Sequence, residues 1–264
     1  MPIIRIENAE DPRLAPYISI RERDLTGRAD GRFIVEGKVT LGILAERSRF
    51  DIESVFIGES RVEPLSETLA KLPPSVPVYV APQAVMDEVA GFAIHRGVLA
   101  CAKKGPALPL ADLVLNETVL VLNDISNHDN VGAAFRNAAA FGVGGVLLDE
   151  RSCDPLYRKS IRVSAGSALW LPFRHGGTGE DHISALEDAG FDIWAMTPSL
   201  EAEALHAVPA GKKTAILLGA EGPGLPRALI DRCRPVRIAM APGFDSINVA
   251  TAGAVALAHL YTTR

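Results

Sequence analysis

Three short stretches carry side chains whose types and spacing could do chemistry. Asn130, Gly132 and Arg136 fall in an alanine-rich run that follows an apolar one. An asparagine brings a donor and an acceptor in one amide, and an arginine brings a permanent, planar charge suited to phosphate or carboxylate. Gly219, Glu221, Gly222 and Gly224 form a glycine-rich turn, again after an apolar run. Such a turn lets backbone groups wrap a neutral or cationic small molecule, with Glu221 fixing the loop or a partner arginine. Ser246 and Asn248 stand at the entrance to a run of alanines and aliphatics reaching Tyr261. A helix start there offers unpaired N–H groups to anions and polar ligands. The glycine turn lacks the spacing of G-x-G-x-x-G, and no Lys-Ser/Thr pair makes it a P-loop. Each stretch alone also fits a plain capped helix or a strand-to-helix turn.

The elements that position these residues follow from hydrophobic periodicity. The pattern predicts strands at 32–37, 52–58, 76–80 and 96–102, alternating with helices at 39–45, 63–71 and 82–89. Residues up to 20 hold three prolines and predict a loop with one short element, and 21–25 begin a charged stretch broken by Gly27 and Gly31. Lys103, Lys104, Gly105, Pro106 and Pro109 mark a linker. Beyond it the pattern predicts strands at 118–122, 145–148, 191–196, 214–218 and 236–240 and an extended segment at 168–173. Helices are expected at 131–141, 157–165, 182–189 and from 249 onward. Asn130 is the expected N-cap of the first of these helices, and Ser246 or Asp245 that of the last. The final helix is apolar on nearly every side and is expected to be buried. The continuous apolar strands suit a parallel sheet covered on both faces, so the fold class is α/β with two domains.

At 264 residues, 48% hydrophobic and 22% charged, the composition is that of a globular protein. Its apolar runs are too short to span a bilayer and its start lacks the layout of a signal peptide, so a cytoplasmic protein without a membrane partner is expected. Cys101, Cys153 and Cys233 are widely spaced, which argues against a disulfide framework or a zinc site. The net charge of -5 argues globally against a nucleic-acid partner. Locally the balance reverses: Arg151, Arg158, Lys159, Arg162 and Arg174 stand against Asp154 alone, and Arg227, Arg232, Arg234 and Arg237 against Asp231. Runs of this kind are usually solvated faces, yet two of them beside candidate site loops admit a polyanionic partner.

Taken together, the three stretches resemble the motifs of the SpoU (TrmH-type) RNA 2'-O-ribose methyltransferases of the SPOUT superfamily. The match is N-x-G-x-x-x-R at Asn130, Gly132 and Arg136, G-x-E-G-x-G at Gly219, Glu221, Gly222 and Gly224, and S-[LI]-N-V-A at 246–250. The 162–167 stretch, RVSAGS, is similar to the segment between the family's first two motifs, so the likeness covers most of 117–264. The N-terminal module resembles the family's ribosomal-protein-like substrate-binding domain through 33–37 (FIVEG) and 95–100 (HRGVLA). His128-Asp129 stands where a Pro-containing pair is common, and Arg96 where Gln is frequent.

The resemblance implies an RNA-binding domain at 1–103, a linker at 104–116 and a methyltransferase domain at 117–264 with a deep trefoil knot. It implies a homodimer, S-adenosylmethionine as cofactor and no metal. The implied catalytic residues are Asn130, Arg136, Glu221, Ser246 and Asn248. The implied cofactor contacts are Leu218, Gly219, Glu221, Gly222, Ile238, Met240, Ile247 and Asn248. Ribosomal RNA is the expected substrate, with tRNA and a non-catalytic RNA-binding relative as alternatives. A nicotinamide-dependent oxidoreductase would need the missing glycine fingerprint and its ribose-binding acid.

Overall fold

The computed structural model describes residues 2–20, 31–94 and 96–264. The charged stretch at 21–25, Gly27 and His95 lie outside the described residues. The chain divides into two compact units, Met1–Pro106 with Leu156–Trp170, and Ala107–Pro155 with Leu171–Arg264.

The first unit opens with β1 (Ile3–Arg5) and a 3-10 turn at Pro12–Tyr17, followed after 31 by β2 (Arg32–Glu36), α1 (Lys38–Arg47) and β3 (Asp51–Gly58). Then come 3-10 turns, α2 (Ser66–Leu69), β4 (Val78–Ala81), α3 (Gln83–Ala90) and β5 (Val98–Lys103). The helix expected at 63–71 is reduced to one turn, because Pro64 opens the stretch as a 3-10 turn. The five strands order as β1-β4-β3-β5-β2, with β1, β3 and β4 parallel to one another and β5 antiparallel to both its neighbours. Ile34, Phe56, Met86, Val89 and Leu99 form part of its core with Leu14 and Tyr17. The Tyr17 hydroxyl, taken fully out of water, is satisfied by Ser54 Oγ at 2.8 Å.

The second unit begins with α4 (Leu110–Leu113), β6 (Thr118–Leu122), α5 (His128–Ala140) and β7 (Gly145–Leu148). The chain then returns to the first unit with α6 (Arg158–Val163). There Arg158 Nη1 donates to the buried Glu36, Arg49 N donates to Leu169 O at 3.4 Å, and Arg47 lies over the Trp170 ring at 4.1 Å. It re-enters the second unit with β8 (Phe173–His175), α7 (Gly179–Asp188), β9 (Asp192–Met196), β10 (Glu203–Ala204), β11 (Thr214–Leu218), α8 (Arg227–Ile230), β12 (Arg234–Arg237) and α9 (Val249–Thr263). Seven strands order as β10-β12-β9-β11-β6-β7-β8, and every pair is parallel. All residues of β6, β7 and β11 are buried, as a sheet covered on both faces requires.

Two strand expectations are corrected here. Residues 168–173 are not extended: Ser167–Leu169 form a 3-10 turn and the strand starts only at Phe173. β12 ends at Arg237, so Ile238 and Met240 lie beyond it in irregular backbone. α9 buries Ala250, Gly253, Ala256, Leu257 and Leu260 but leaves Val255 39% and Tyr261 62% exposed. A helix apolar all round has only one face covered within a single chain.

Candidate active site

In the second unit the backbone leaving β9, β11 and β12 surrounds a cavity of about 370 Å³, within the usual range for small-molecule sites. It sits at the carboxyl ends of parallel strands, where α/β sheets place ligands. Its walls are Met196, which ends β9, with Thr197 and Pro198, Leu218, which ends β11, through Gly222 and Gly224, Ile238 and Met240 after β12, and Ser246 through Val249 with Ala252 at the start of α9. Gly219 is required for this shape. A Cβ there would stand 2.6 Å from Leu225 N and 2.7 Å from Gly224 C, both backbone atoms that cannot yield. Gly224 N closes the turn on Ala220 O at 3.0 Å.

All eight residues expected to touch a cofactor line this cavity: Leu218, Gly219, Glu221, Gly222, Ile238, Met240, Ile247 and Asn248. Ser246 lines it too and is exposed. The caps differ from expectation. The N-cap of α5 is Asn127, whose Oδ1 accepts from Asp129 N at 2.8 Å. The N-cap of α9 is Asn248, whose Oδ1 accepts from Ala250 N at 3.0 Å and Thr251 N at 3.2 Å. With its oxygen committed to helix N–H groups, the Asn248 amide must point its NH2 away from the helix.

That NH2 meets the other two motifs. Asn248 Nδ2 donates to Asn130 Oδ1 at 2.8 Å and to Glu221 Oε1 at 3.1 Å, and Asn130 Nδ2 donates to the same Glu221 oxygen at 2.7 Å. Asn130 is thus freed from capping and held, 6% exposed, in the first turn of α5. Three turns that are far apart in sequence close on one carboxylate. Glu221 takes these two asparagines rather than Arg136.

Arg136 is not part of this junction. It is exposed, lies outside the cavity lining and makes no hydrogen bond or ion pair among the described residues. Six residues at about 100° each carry it roughly 240° around the helix from Asn130. Asn137, seven residues from Asn130, returns to the same face and donates to Ala250 O at 2.9 Å, tying α5 to the first turn of α9. Sequence reasoning passed over Asn137, although its seven-residue spacing from Asn130 was the available signal.

The first unit carries a different arrangement at the end of its sheet where β2 stops and β5 starts. Glu36, 8% exposed, holds Arg158, with Arg162 Nη1 at 3.8 Å from the same oxygen. Arg96 Nη1 lies over Gly37, 3.2 Å from where a Cβ would stand, and Arg61 Nε lies 3.4 Å from the same point on Gly97. Arg61 and Arg96 are exposed and make no ion pair among the described residues. The α1 N-terminus beside them has Gly37 as N-cap and no side-chain cap.

A scan against protein-family models matches the SpoU rRNA Methylase family over residues 117–258. A tRNA/rRNA methyltransferase of Mycobacterium bovis, itself uncharacterized, is 39% identical over 259 residues, covering 94% of this chain and 88% of its own. A 23S rRNA (guanosine-2'-O-)-methyltransferase of Photobacterium profundum is 29% identical over 75% of this chain and 83% of its own. Among solved structures, the AdoMet-bound rRNA methyltransferase of Sinorhizobium meliloti shares the fold with a TM-score of 0.79, at 22% identity and 98% coverage of both chains. With more than half its length matched by the family model and three motifs joined through Glu221, this chain belongs to the SpoU rRNA methylase family.

Proposed function

We propose that this chain transfers the methyl group of S-adenosylmethionine to a ribose 2'-hydroxyl in ribosomal RNA. The observation that carries this reading is the junction in which Asn130 is hydrogen-bonded to the cavity-lining Glu221 and Asn248. The cavity suits that cofactor chemically. Leu218, Ile238, Met240 and Ile247 offer apolar surface to a base, the glycine turn leaves backbone groups uncovered, and the Glu221 carboxylate attracts a cation.

Bound S-adenosylmethionine supplies a methyl carbon made electrophilic by the attached sulfonium. The chain's own task is to place a sugar oxygen in line with it, and positioning alone removes much of such a barrier. The Asn130 and Asn248 amides fix Glu221 and through it the glycine turn. Ser246, exposed at the mouth, offers a hydroxyl that both donates and accepts to orient the ribose. A guanidinium does not lose its proton in proteins, so Arg136 is assigned to the neighbouring phosphate and to the negative charge growing on the attacking oxygen.

Arg136 faces away from Asn130 on α5, and this favours a homodimer in which it serves a second chain's cavity. The exposed Val255 and Tyr261 of α9, which packs on α5, support that assembly. The resemblance also implies a knot, with which close packing is compatible: a Cβ on Gly253 of α9 would lie 2.8 Å from the Leu218 side chain of β11. We assign the first unit, with Arg61, Arg96 and Arg162, to RNA phosphates. Burial raises the Cys153 thiol to about 12 and the Cys233 thiol to about 11, leaving inert thiols suited to a reducing cytoplasm.

Calorimetry with S-adenosylmethionine, followed by methyl transfer from labelled cofactor to unmodified ribosomal RNA transcripts and to unmodified tRNA, tests the reading. One-to-one uptake per chain and a single alkali-resistant ribose in ribosomal RNA are expected. Transfer to tRNA alone overturns the substrate, and failure to take up the cofactor overturns the whole.

A further inference from the structure

We infer that Phe244 is the platform on which the base of the target nucleotide stacks. The inference rests on the methyl-transfer reading above and adds the contact that holds the nucleotide. Phe244 is 68% exposed, two residues before Ser246, which lines the cavity. Leaving a phenyl ring in water forgoes the apolar burial that such a ring normally gains. The ring is also presented by a defined turn and not by a loose tether. Phe244 N donates to Ala241 O at 3.2 Å across Pro242 and Gly243, and Gly243 has φ +83°. Proline second and a positive-φ glycine third, closed by that hydrogen bond, are the marks of a type II turn.

The chemistry of the segment selects a base as the partner. Residues 241–247, APGFDSI, contain no lysine or arginine and one acid, Asp245, so the segment itself offers no charge to a phosphate. A flat, neutral ring is what an exposed phenyl recognises in single-stranded RNA. The reach also agrees. Two residues of chain span at most about 7 Å, the scale of one nucleoside, so the base of a ribose at Ser246 is within reach of Phe244.

The test compares the full chain with Phe244→Ala, Phe244→Leu and Phe244→Trp, using methyl transfer to the unmodified ribosomal RNA transcript or tRNA on which the wild type is active. Calorimetry with S-adenosylmethionine and sedimentation accompany each variant. The alanine variant is expected to raise KM for RNA about tenfold or more, the usual loss for one stacked base, with cofactor affinity and oligomeric state unchanged. Tryptophan is expected to restore KM and to show indole quenching on adding RNA, while leucine, apolar but not flat, does not restore it. Equal KM for leucine and tryptophan, an unchanged KM in the alanine variant, or a changed oligomeric state overturns the stacking role. A wild type that binds cofactor and methylates neither RNA overturns the functional reading, and this inference with it. An active wild type with a fully active alanine variant overturns this inference alone.

Discussion

The polar side chains at the cavity of the second unit and at the Glu36 end of the first unit's sheet are arranged in opposite ways. In the second unit Asn130, Glu221 and Asn248 are bonded to one another, and one asparagine amide serves both as helix cap and as donor to the cluster. In the first unit one buried acid, Glu36, anchors Arg158, while Arg61 and Arg96 lie against Gly97 and Gly37 with no ion pair among the described residues. A closed set of hydrogen bonds gives a rigid wall, which suits a small ligand whose shape is constant. Unmatched arginines give an open surface whose partner must bring negative charge. Arg136 breaks the division, since it belongs to the second unit yet, like Arg61 and Arg96, is exposed and makes no ion pair among the described residues.

That mixed status yields the largest expected effect. If Arg136 meets charge that appears only as the reaction proceeds, Arg136→Ala lowers kcat by about 10² to 10³-fold and leaves S-adenosylmethionine affinity intact. Single-turnover rates beside calorimetry make the check. A near-normal rate for Arg136→Lys at unchanged RNA affinity, or a loss confined to cofactor binding, removes Arg136 from the role assigned to it.

Asn130→Ala comes next. It strips one donor from Glu221 and one acceptor from Asn248 and so loosens the glycine turn that forms the cavity wall. A loss of about 10 to 10²-fold in cofactor affinity is expected, with KM for RNA little moved. Asn248→Ala should match it and also weaken α9, because the cap disappears with the amide. Should the two variants affect RNA affinity and leave cofactor uptake alone, the contrast between the units is wrong.

The same residues show what was legible from the chain alone. The wall of the cavity was named by the family resemblance, and the strand-then-glycine pattern before Gly219 fixed only where its turn begins. The role of Asn130 could not be read. Three asparagine and histidine candidates stand within four positions; Asn127 takes the cap, while Asn130 is bonded to a partner 91 residues away that no local pattern reveals. Asn248 displaced Ser246 as cap for a similar reason, its amide being the one that can hold the helix and Asn130 together. The 236–240 strand failed at its end: its apolar pattern continues to Met240, but Ile238 and Met240 turn to the cavity and not along the sheet. Residues 156–170 fold with the first unit through Glu36 and Arg47, and the alternating pattern of elements around them carries no sign of that.

The open surface of the first unit predicts a smaller, graded effect. Arg96→Glu and Arg61→Ala should each raise KM for RNA severalfold, up to about tenfold, and make the salt dependence of RNA binding shallower by about one phosphate contact. Cofactor affinity and single-turnover rate at saturating RNA should stay at the wild-type level. Filter binding across a salt series checks it, and an unchanged slope removes these arginines from the RNA contact.

The smallest effect is expected at His182, a polar group of the second unit that lacks the full pairing seen at the cavity. Its ring is buried, Nε2 faces Gly176 O at 3.1 Å and Nδ1 has no partner among the described residues. The carbonyl accepts, so Nε2 carries the proton and Nδ1 presents a bare lone pair. Burial, the largest cause, lowers the pKa below its ordinary 6.5, against smaller upward pulls from the Gly176 carbonyl, Asp149 and Asp181, with Arg174 adding to the lowering. A base with a lowered pKa in the fold is neutral there while the unfolded chain already binds a proton. Stability from this site is therefore complete above about pH 6.5 and is lost as pH falls through the folded pKa. In urea titrations from pH 8 to 5, the wild type should lose midpoint relative to His182→Gln, whose side chain cannot titrate. A wild-type advantage that grows on acidification would mean that the buried ring gains a partner when charged, and that the pairing in the second unit extends well beyond its cavity.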